Sequence, residues 1–258
     1  MIGSIIGDIA GSIHEFNGNR DPAVDLFPAG SEATDDSILT LATCEALLSG
    51  RDYGEVYREF GRRYPDPMGG YGVRFQSWLF AAVPEPYNSW GNGSAMRVGP
   101  VGYALNDVDA VLREAERSAA VTHDHPEGIK GAQATALAIL LARNKCDKAS
   151  IRESITTRFG YDLGRTVEQV RATYSFNESC QGTVPEALIS FFDADDFEQA
   201  IRNAISLGGD ADTIGSVTGG VAQAFFREIS PAFISMALAK LTPDLRSVAE
   251  RFMASYPS

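Results

Sequence analysis

The sequence predicts an all-α protein, and three observations indicate this class. Apolar residues recur at helical spacing through most of the chain. Alternating strands bounded by turn residues are missing. Two apolar segments, one near each end, carry glycines on one face, a pattern typical of closely packed helices. With 258 residues and 44% hydrophobic content, the chain is long enough for a substantial core, and we expect one domain over residues 1–258.

The first helix contains Gly3, Gly7 and Gly11 with isoleucines between them. Glycine costs ~1 kcal/mol against alanine inside a helix, so its repetition on one face indicates the close approach of another backbone. Gly215 and Gly219, with Gly220, mark a second such helix, and we expect the two to cross at the domain centre. The other amphipathic stretches predict helices at Ser37–Leu48, Val108–Ser118, Glu127–Ala142, Ala149–Arg158, Val184–Phe192, Phe197–Leu207, Thr213–Glu228 and Leu245–Ala254. Residues 61–99 are rich in glycine, proline and aromatics and predict a structured loop region.

Composition excludes several classes of protein. A formal charge of −12 without a block of basic residues argues against a protein that binds nucleic-acid backbones. The longest apolar stretch, near residues 132–142, is too short for the ~20 residues of a membrane span. We expect no signal peptide. The three cysteines Cys44, Cys146 and Cys180 form no CxxC pair, which indicates a reducing, cytoplasmic compartment.

Acidic residues cluster beside small residues in three segments, GDIAGSIHE at 7–15, TDDS at 34–37 and GGDADT at 208–213. A single aspartate before a helix is most often an N-cap, and that is the alternative interpretation for each segment. TDDS and GGDADT, however, carry two aspartates each. Neighbouring carboxylates repel one another, so burial of these four together favours a bound cation. Carboxylate and hydroxyl oxygens suit Mg²⁺, Mn²⁺ or Ca²⁺, and the scarcity of nearby histidine disfavours zinc.

Four further patterns are weaker. The glycine-rich turn Gly91–Arg97 has N–H groups that could hold a phosphate, although such turns are common. The run His123-Asp124-His125-Pro126 fits a metal-ligand cluster or, equally, a turn before a helix. Trp90 is either a core residue or a stacking platform. The acidic run Asp193–Phe197 predicts a solvated loop with a helix cap.

Taken together, these motifs resemble those of the ADP-ribosylglycohydrolase family. GDIAGSIHE, TDDS, GNGSAMR, THDHP and LGGDADTIGSVTGG occur in the family's order and spacing, over residues 1 to about 228. The resemblance implies an all-α orthogonal helical bundle around a binuclear Mg²⁺ or Mn²⁺ centre. One departure is Ser37, where many members have threonine, and a hydroxyl is kept. Part of the loop region before Trp90 has no clear counterpart.

The resemblance also implies roles for individual residues. The metal ligands would be Thr34, Asp35, Asp36, Asp210, Asp212 and Thr213. Glu15 matches a glutamate that reaches the metal site in some members, and Glu15, Asp35 and Asp36 are the catalytic candidates. Ser89, Trp90, Gly91, Asn92, Gly93 and Ser94 match the loop that holds the diphosphate and distal ribose, with Trp90 near the adenosine, and His123 lines the ligand site.

The expected chemistry is hydrolysis of the bond between ADP-ribose and an acceptor, with an oxocarbenium-like transition state. The partners would be an ADP-ribosylated protein or another ADP-ribosyl conjugate, and the product ADP-ribose. Nucleic acid is expected only as an ADP-ribosylated acceptor. Two alternatives stay open: another binuclear-metal hydrolase acting on a nucleotide, or a non-catalytic member that binds ADP-ribose or is structural. The intact acidic motifs argue against the latter.

Overall fold

The computed structural model describes residues 1–257, which form fifteen α-helices and no β-sheet. The only ladder pairings among these residues are two isolated bridges, Thr34 with Met68 and Gly91 with Ser179. The all-α prediction is therefore confirmed. In chain order the helices are α1 (Ile2–Gly11), α2 (Asp35–Ser49), α3 (Tyr53–Arg63), α4 (Val73–Phe80), α5 (Gly93–Met96), α6 (Gly99–Ala104), α7 (Val108–Ala120), α8 (Pro126–Arg143), α9 (Lys148–Phe159), α10 (Val167–Thr173), α11 (Cys180–Phe192), α12 (Phe197–Ile205), α13 (Ala211–Phe226), α14 (Pro231–Lys240) and α15 (Pro243–Ser255).

Every predicted helix is present, with ends that shift by a few residues. The largest shift is in α11, which begins at Cys180 instead of Val184 because the Ser179 side chain accepts a hydrogen bond from the Gly182 N–H and caps the helix earlier. The loop region predicted at 61–99 was only partly right, since it contains α4 and α5. The sequence patterns also missed α3, α6, α10 and α14.

The two glycine helices, α1 and α13, pack directly against each other, as their glycines predict. A Cβ atom on Gly7 would lie 1.9 Å from the Gly215 carbonyl oxygen, and one on Gly3 would lie 2.2 Å from that of Gly219. At Gly11 the corresponding neighbour is the Ala211 carbonyl, at 2.3 Å. In these contacts the residue numbers rise along α1 and fall along α13, so the two helices run antiparallel. The predicted close approach extends over three pairs of positions along the two helices.

This pair forms the centre of the molecule and positions the site at one of its ends. All ten residues of α1 are buried, as are those of α13 from Ala211 to Ala224. The carboxyl end of α1 meets the amino ends of α2 and α13 there. Helix amino ends favour negative charge, which offsets part of the cost of burying acidic side chains there. No helix within residues 1–257 has the length and apolar content needed to cross a lipid bilayer.

Candidate functional site

The start of α2 is fastened to α1 by Asp8. Thr34 is the N-cap of α2, and its side-chain oxygen accepts a hydrogen bond from the Asp36 N–H at 3.1 Å. The Thr34 hydroxyl donates to Asp8 Oδ1 at 2.7 Å, while the N–H groups of Thr34 and Ser37 donate to Asp8 Oδ2, both at 3.1 Å. The Ser37 hydroxyl donates to the same oxygen. The cap is therefore a threonine, which leaves the carboxylates of Asp35 and Asp36 available for other roles.

The start of α13 is shaped by two glycines. Gly208 has a φ of +74°, a conformation that favours glycine, and a Cβ on Gly209 would lie 2.2 Å from the Tyr174 ring. Asp210 follows at the cap position without making a side-chain cap bond, and Asp212 lies in the first turn. The tight turn places Asp210, Asp212 and Thr213 opposite α2, where the Thr213 hydroxyl donates to Asp36 Oδ2 at 3.2 Å.

Five carboxylates meet here in two groups that share one member. Asp8, Asp36 and Asp212 form the inner group, and Glu15, Asp210 and Asp212 form the outer group. In each group one oxygen from every residue lies within 4.8 Å of the others. The inner residues are all buried, whereas Glu15 is half-buried.

Burial and mutual repulsion raise the pKa of these acids. Burial raises the pKa of Asp8 to about 6. The hydroxyl and N–H groups that donate to this carboxylate offset part of the effect of burial. The pKa of Glu15 rises to about 7 through burial and the charges of Asp210, Glu178 and Asp8. Burial and neighbouring carboxylates likewise hold the pKa of Asp35, Asp36 and Asp212 well above the usual range.

These residues fit hard divalent cations. Asp36 Oδ1 is buried without a hydrogen-bond partner, a costly state for a carboxylate oxygen unless a cation satisfies it. The donors are all oxygens, which Mg²⁺ and Mn²⁺ prefer. Because Asp212 belongs to both groups, the residues present would be able to hold two ions close together. Asp35 belongs to neither group but lines the same cavity.

Four of the five grouped carboxylates, all but Asp8, form the floor of a cavity of about 560 Å³. Its lining includes Glu15, Asp35, Asp36, Asp210, Asp212, Thr213, Ser89, Gly91, Asn92, Gly93 and His123, so the structure brings most of the candidate residues together. Asn92 joins the glycine turn to the acidic floor, because its side-chain amide donates to Asp210 Oδ2 at 2.6 Å. Thr34, Trp90 and Ser94 do not line this cavity.

The glycine turn is less free to hold a phosphate than its sequence suggests. The Gly91 N–H donates to Ser89 Oγ at 3.1 Å, and the Asn92 N–H donates to the Glu178 carbonyl at 2.7 Å. Ser94 is fully buried, and its hydroxyl donates to the Gly128 carbonyl at 2.7 Å. Ser94 therefore anchors the turn to α8.

The histidine-rich run is a turn before a helix. His125 is the N-cap of α8, and its side chain accepts a hydrogen bond from the Glu127 N–H at 3.1 Å. His123 is buried beneath the glycine turn and lines the cavity. Burial and the charges of Arg97 and Arg74 hold its pKa well below the usual value, so its imidazole is neutral. Neither histidine belongs to an acidic group within residues 1–257.

Trp90 is not a core residue, because 49% of its surface is exposed. Its ring meets that of His125 edge-on, with centroids 5.4 Å apart. It borders a groove beside the main cavity, together with Ser89, Gly91 and Arg74. An adenosine reaching Trp90 would therefore have to extend from the cavity into this groove.

Sequence reasoning assigned no role to two residues of the site. Asp8 belongs to the inner carboxylate group, and a charged residue within an otherwise apolar glycine helix was the available signal. Arg97 lines the cavity with no exposed surface. It ends the motif GNGSAMR, but no local pattern shows that it is buried.

Comparison with known proteins identifies the family. The sequence pattern of the ADP-ribosylglycohydrolase family matches residues 1–257. The chain is 25% identical to ADP-ribosylhydrolase ARH3 of Gallus gallus, over 88% of this chain and 84% of that protein. It is 24% identical to ADP-ribosylarginine hydrolase Tri1 of Pseudomonas putida strain GB-1, over 88% and 69% respectively. A solved structure described as an ADP-ribosylglycohydrolase-related protein complex superposes with a TM-score of 0.75 at 25% identity, covering 98% of this chain and 95% of the other.

The fold and the family match lead to one assignment. The match spans nearly the whole chain, and the superposition shows that both proteins share the all-α architecture. The chain therefore belongs to the ADP-ribosylglycohydrolase family and is a glycosyl hydrolase.

Proposed function

We propose that this protein hydrolyses the glycosidic bond between ADP-ribose and an acceptor, in a reaction that depends on two divalent cations, Mg²⁺ or Mn²⁺. The acceptor is a protein side chain, arginine or serine, or another ADP-ribosyl conjugate, and free ADP-ribose is the product. One observation carries the proposal: two carboxylate groups sharing Asp212 form the floor of a cavity whose wall is the glycine turn.

The ion ligands in this proposal come from the starts of two helices. Asp212 belongs to both groups, Asp36 to the inner group and Asp210 to the outer group, which Glu15 joins from the segment that follows α1. Asp35, Thr34 and Thr213 complete the set. Thr34 already donates to Asp8 and accepts from Asp36, so one acceptor site is left on its oxygen. Bound there, the cations would fix ribose hydroxyls and lower the pKa of a water molecule.

Glu15 is the proposed proton carrier. In the metal-free protein its pKa is raised to about 7, first by burial and then by neighbouring carboxylates. Bound cations would lower this pKa, which would leave a carboxylate able to accept a proton from water. It is also half-buried at the cavity surface. Asp36 is the alternative proton carrier. It is buried and accepts a hydrogen bond from Thr213, so it is better suited to bind a cation.

The cavity wall positions the substrate. Asn92 ties the glycine turn to Asp210, so a ligand held by the turn has a fixed placement over the carboxylates. Binding energy from the distant part of ADP-ribose would then be used to hold the reacting ribose in place. Trp90, in the adjoining groove, is the proposed contact for the adenine.

The decisive experiment identifies the products. Arginine-linked and serine-linked ADP-ribosyl peptides would be incubated with the enzyme and Mg²⁺ or Mn²⁺, and ADP-ribose and inorganic phosphate measured separately. We expect ADP-ribose without phosphate. Phosphate release would support a nucleotide phosphohydrolase, and no release from any conjugate would support a non-catalytic member. The matched control is Asp195→Asn, which removes an exposed carboxylate of the solvated loop and should leave turnover unchanged.

A further inference from the structure

Arg97 is an unusual residue for the centre of an acidic protein. Its side chain has no exposed surface, yet it lines the cavity. Its Nη2 donates to the Ser118 carbonyl at 3.1 Å and to Thr122 Oγ1 at 2.7 Å. Nε and Nη1 are buried without any hydrogen-bond partner. The guanidinium lies 4.2 Å from the centre of the Tyr57 ring.

No carboxylate neutralises this charge. None of the ion pairs within residues 1–257 includes Arg97, nor does any include Arg74. An arginine side chain stays protonated in proteins, so Arg97 carries a buried positive charge. The ring of Tyr57 and two neutral acceptors offset only part of its desolvation. An anion in the cavity would offset the rest.

Arg74 brings a second cation to the same end of the cavity. Its guanidinium lies 4.9 Å from the Tyr87 ring centre and donates to the Tyr87 carbonyl. Tyr87 in turn packs against His123, with ring centroids 5.8 Å apart. Thr122 joins this group to Arg97, because its hydroxyl contacts His123 Nδ1 at 2.8 Å and accepts from Arg97. Burial lowers the pKa of His123, and the charges of Arg97 and Arg74 lower it further.

The cavity therefore has two electrically opposite regions. The carboxylates form one, and the guanidinium groups beside the glycine turn form the other. Two N–H groups of the turn, those of Gly91 and Asn92, are already engaged inside the protein, so the turn alone supplies few donors for an anion. A chain of net charge −12 needs a local source of positive potential to draw a phosphate-bearing ligand into this region.

We infer that Arg97, assisted by Arg74, is a positioning residue that supplies the fixed positive charge for the diphosphate of the ligand. The inference rests on the proposed function, since it takes ADP-ribose as that ligand. Arg97 acts through its field and through Thr122 and His123, without direct contact. Charge in a poorly solvated interior acts over several ångströms. Its removal should therefore weaken binding of a charged ligand while leaving a neutral one unaffected.

The test compares two ligands in the presence of Mg²⁺: ADP-ribose, and an analogue in which an uncharged linker replaces the diphosphate. The selectivity is the dissociation constant of the uncharged analogue divided by that of ADP-ribose. We expect Arg97→Met to lower it about tenfold, Arg74→Gln to lower it about threefold, and Arg97→Lys to keep it within twofold. The control is Arg152→Met, which removes a guanidinium stacked 4.6 Å from the centre of the Phe192 ring, outside the cavity lining, and should leave selectivity unchanged.

Other outcomes overturn the inference. Equal losses for both ligands in Arg97→Met would assign Arg97 a purely structural role, and unchanged selectivity would show that its charge does not reach the ligand. If Arg97→Met fails to fold, the other two variants still test the inference. Loss of selectivity in Arg97→Lys would refute it, and so would full selectivity in Arg74→Gln, which changes an exposed residue. Failure of the proposed function is separate, since it appears as absent release of ADP-ribose by the unmodified protein, or as binding of neither ADP-ribose nor the analogue, and not as a change in selectivity between variants.

Discussion

Asp212 is the residue on which both carboxylate groups depend. Asp212→Ala leaves each group with two members, which should be too few to hold the cations. We expect metal stoichiometry to fall from two ions per chain and turnover to fall by orders of magnitude, with helical content unchanged. Metal analysis and circular dichroism on the purified variant would check this, and two retained ions with normal turnover would contradict the site assignment.

Trp90 tests where the adenosine end of the ligand lies. Trp90→Ala removes an aromatic surface, and a stacked base is worth ~1–3 kcal/mol. ADP-ribose affinity should fall about tenfold or more, whereas the melting temperature should hold because the ring is half-exposed. Calorimetric titration would measure the change. Unaltered affinity would show that the ligand stays within the main cavity and never enters the groove.

The contact between α1 and α13 is the element that holds the site in shape. Gly7→Ala would place a Cβ atom 1.9 Å from a backbone oxygen that cannot move aside without shifting α13. Overpacking of this kind typically costs ~1–3 kcal/mol and occasionally more, so the melting temperature should fall strongly. Gly164→Ala is the control, since its nearest neighbour is a side-chain oxygen at 3.5 Å. Equal melting temperatures for the two variants would refute the close contact.

At the element scale, the sequence was informative where periodicity or glycine spacing was strong. The paired glycines of α1 and α13 predicted their close approach, although the antiparallel course could not be inferred because spacing does not define direction. Helix α6 begins with Gly99 and Pro100, residues that also mark loops. Helix α14 has one buried residue, Ala237, so no apolar stripe revealed it.

The site was predictable to the extent that its residues occur in short motifs. TDDS and GGDADT lie at helix starts that the fold brings together. One cavity is lined by five of their residues, Asp35, Asp36, Asp210, Asp212 and Thr213. The roles of Asp8 and Arg97 depend on packing between segments distant in the chain. The same holds for Ser94, whose hydroxyl is engaged by the Gly128 carbonyl.

At the scale of the whole molecule, the acidic centre should make the metal-free protein sensitive to pH. The pKa of Glu15 rises from 4.5 in the unfolded chain to about 7 in the fold. A raised pKa contributes stability at low pH that is lost as pH rises through the folded value. Metal-free Glu15→Gln should therefore match the unmodified protein near pH 4 and become progressively more stable than it up to about pH 7. Melting temperatures of both proteins measured across this range would test the prediction. A difference between them that becomes smaller as the pH rises would contradict it.

Cation dependence is the central claim, and turnover before and after metal removal tests it most directly. Release of ADP-ribose from an ADP-ribosyl conjugate would be followed in untreated protein, in protein shown by elemental analysis to be metal-free, and after Mg²⁺ or Mn²⁺ is added back. We predict that release stops in the metal-free protein and returns with either cation, together with a higher melting temperature because the ions bind only the folded chain. Full release by verified metal-free protein would contradict the account.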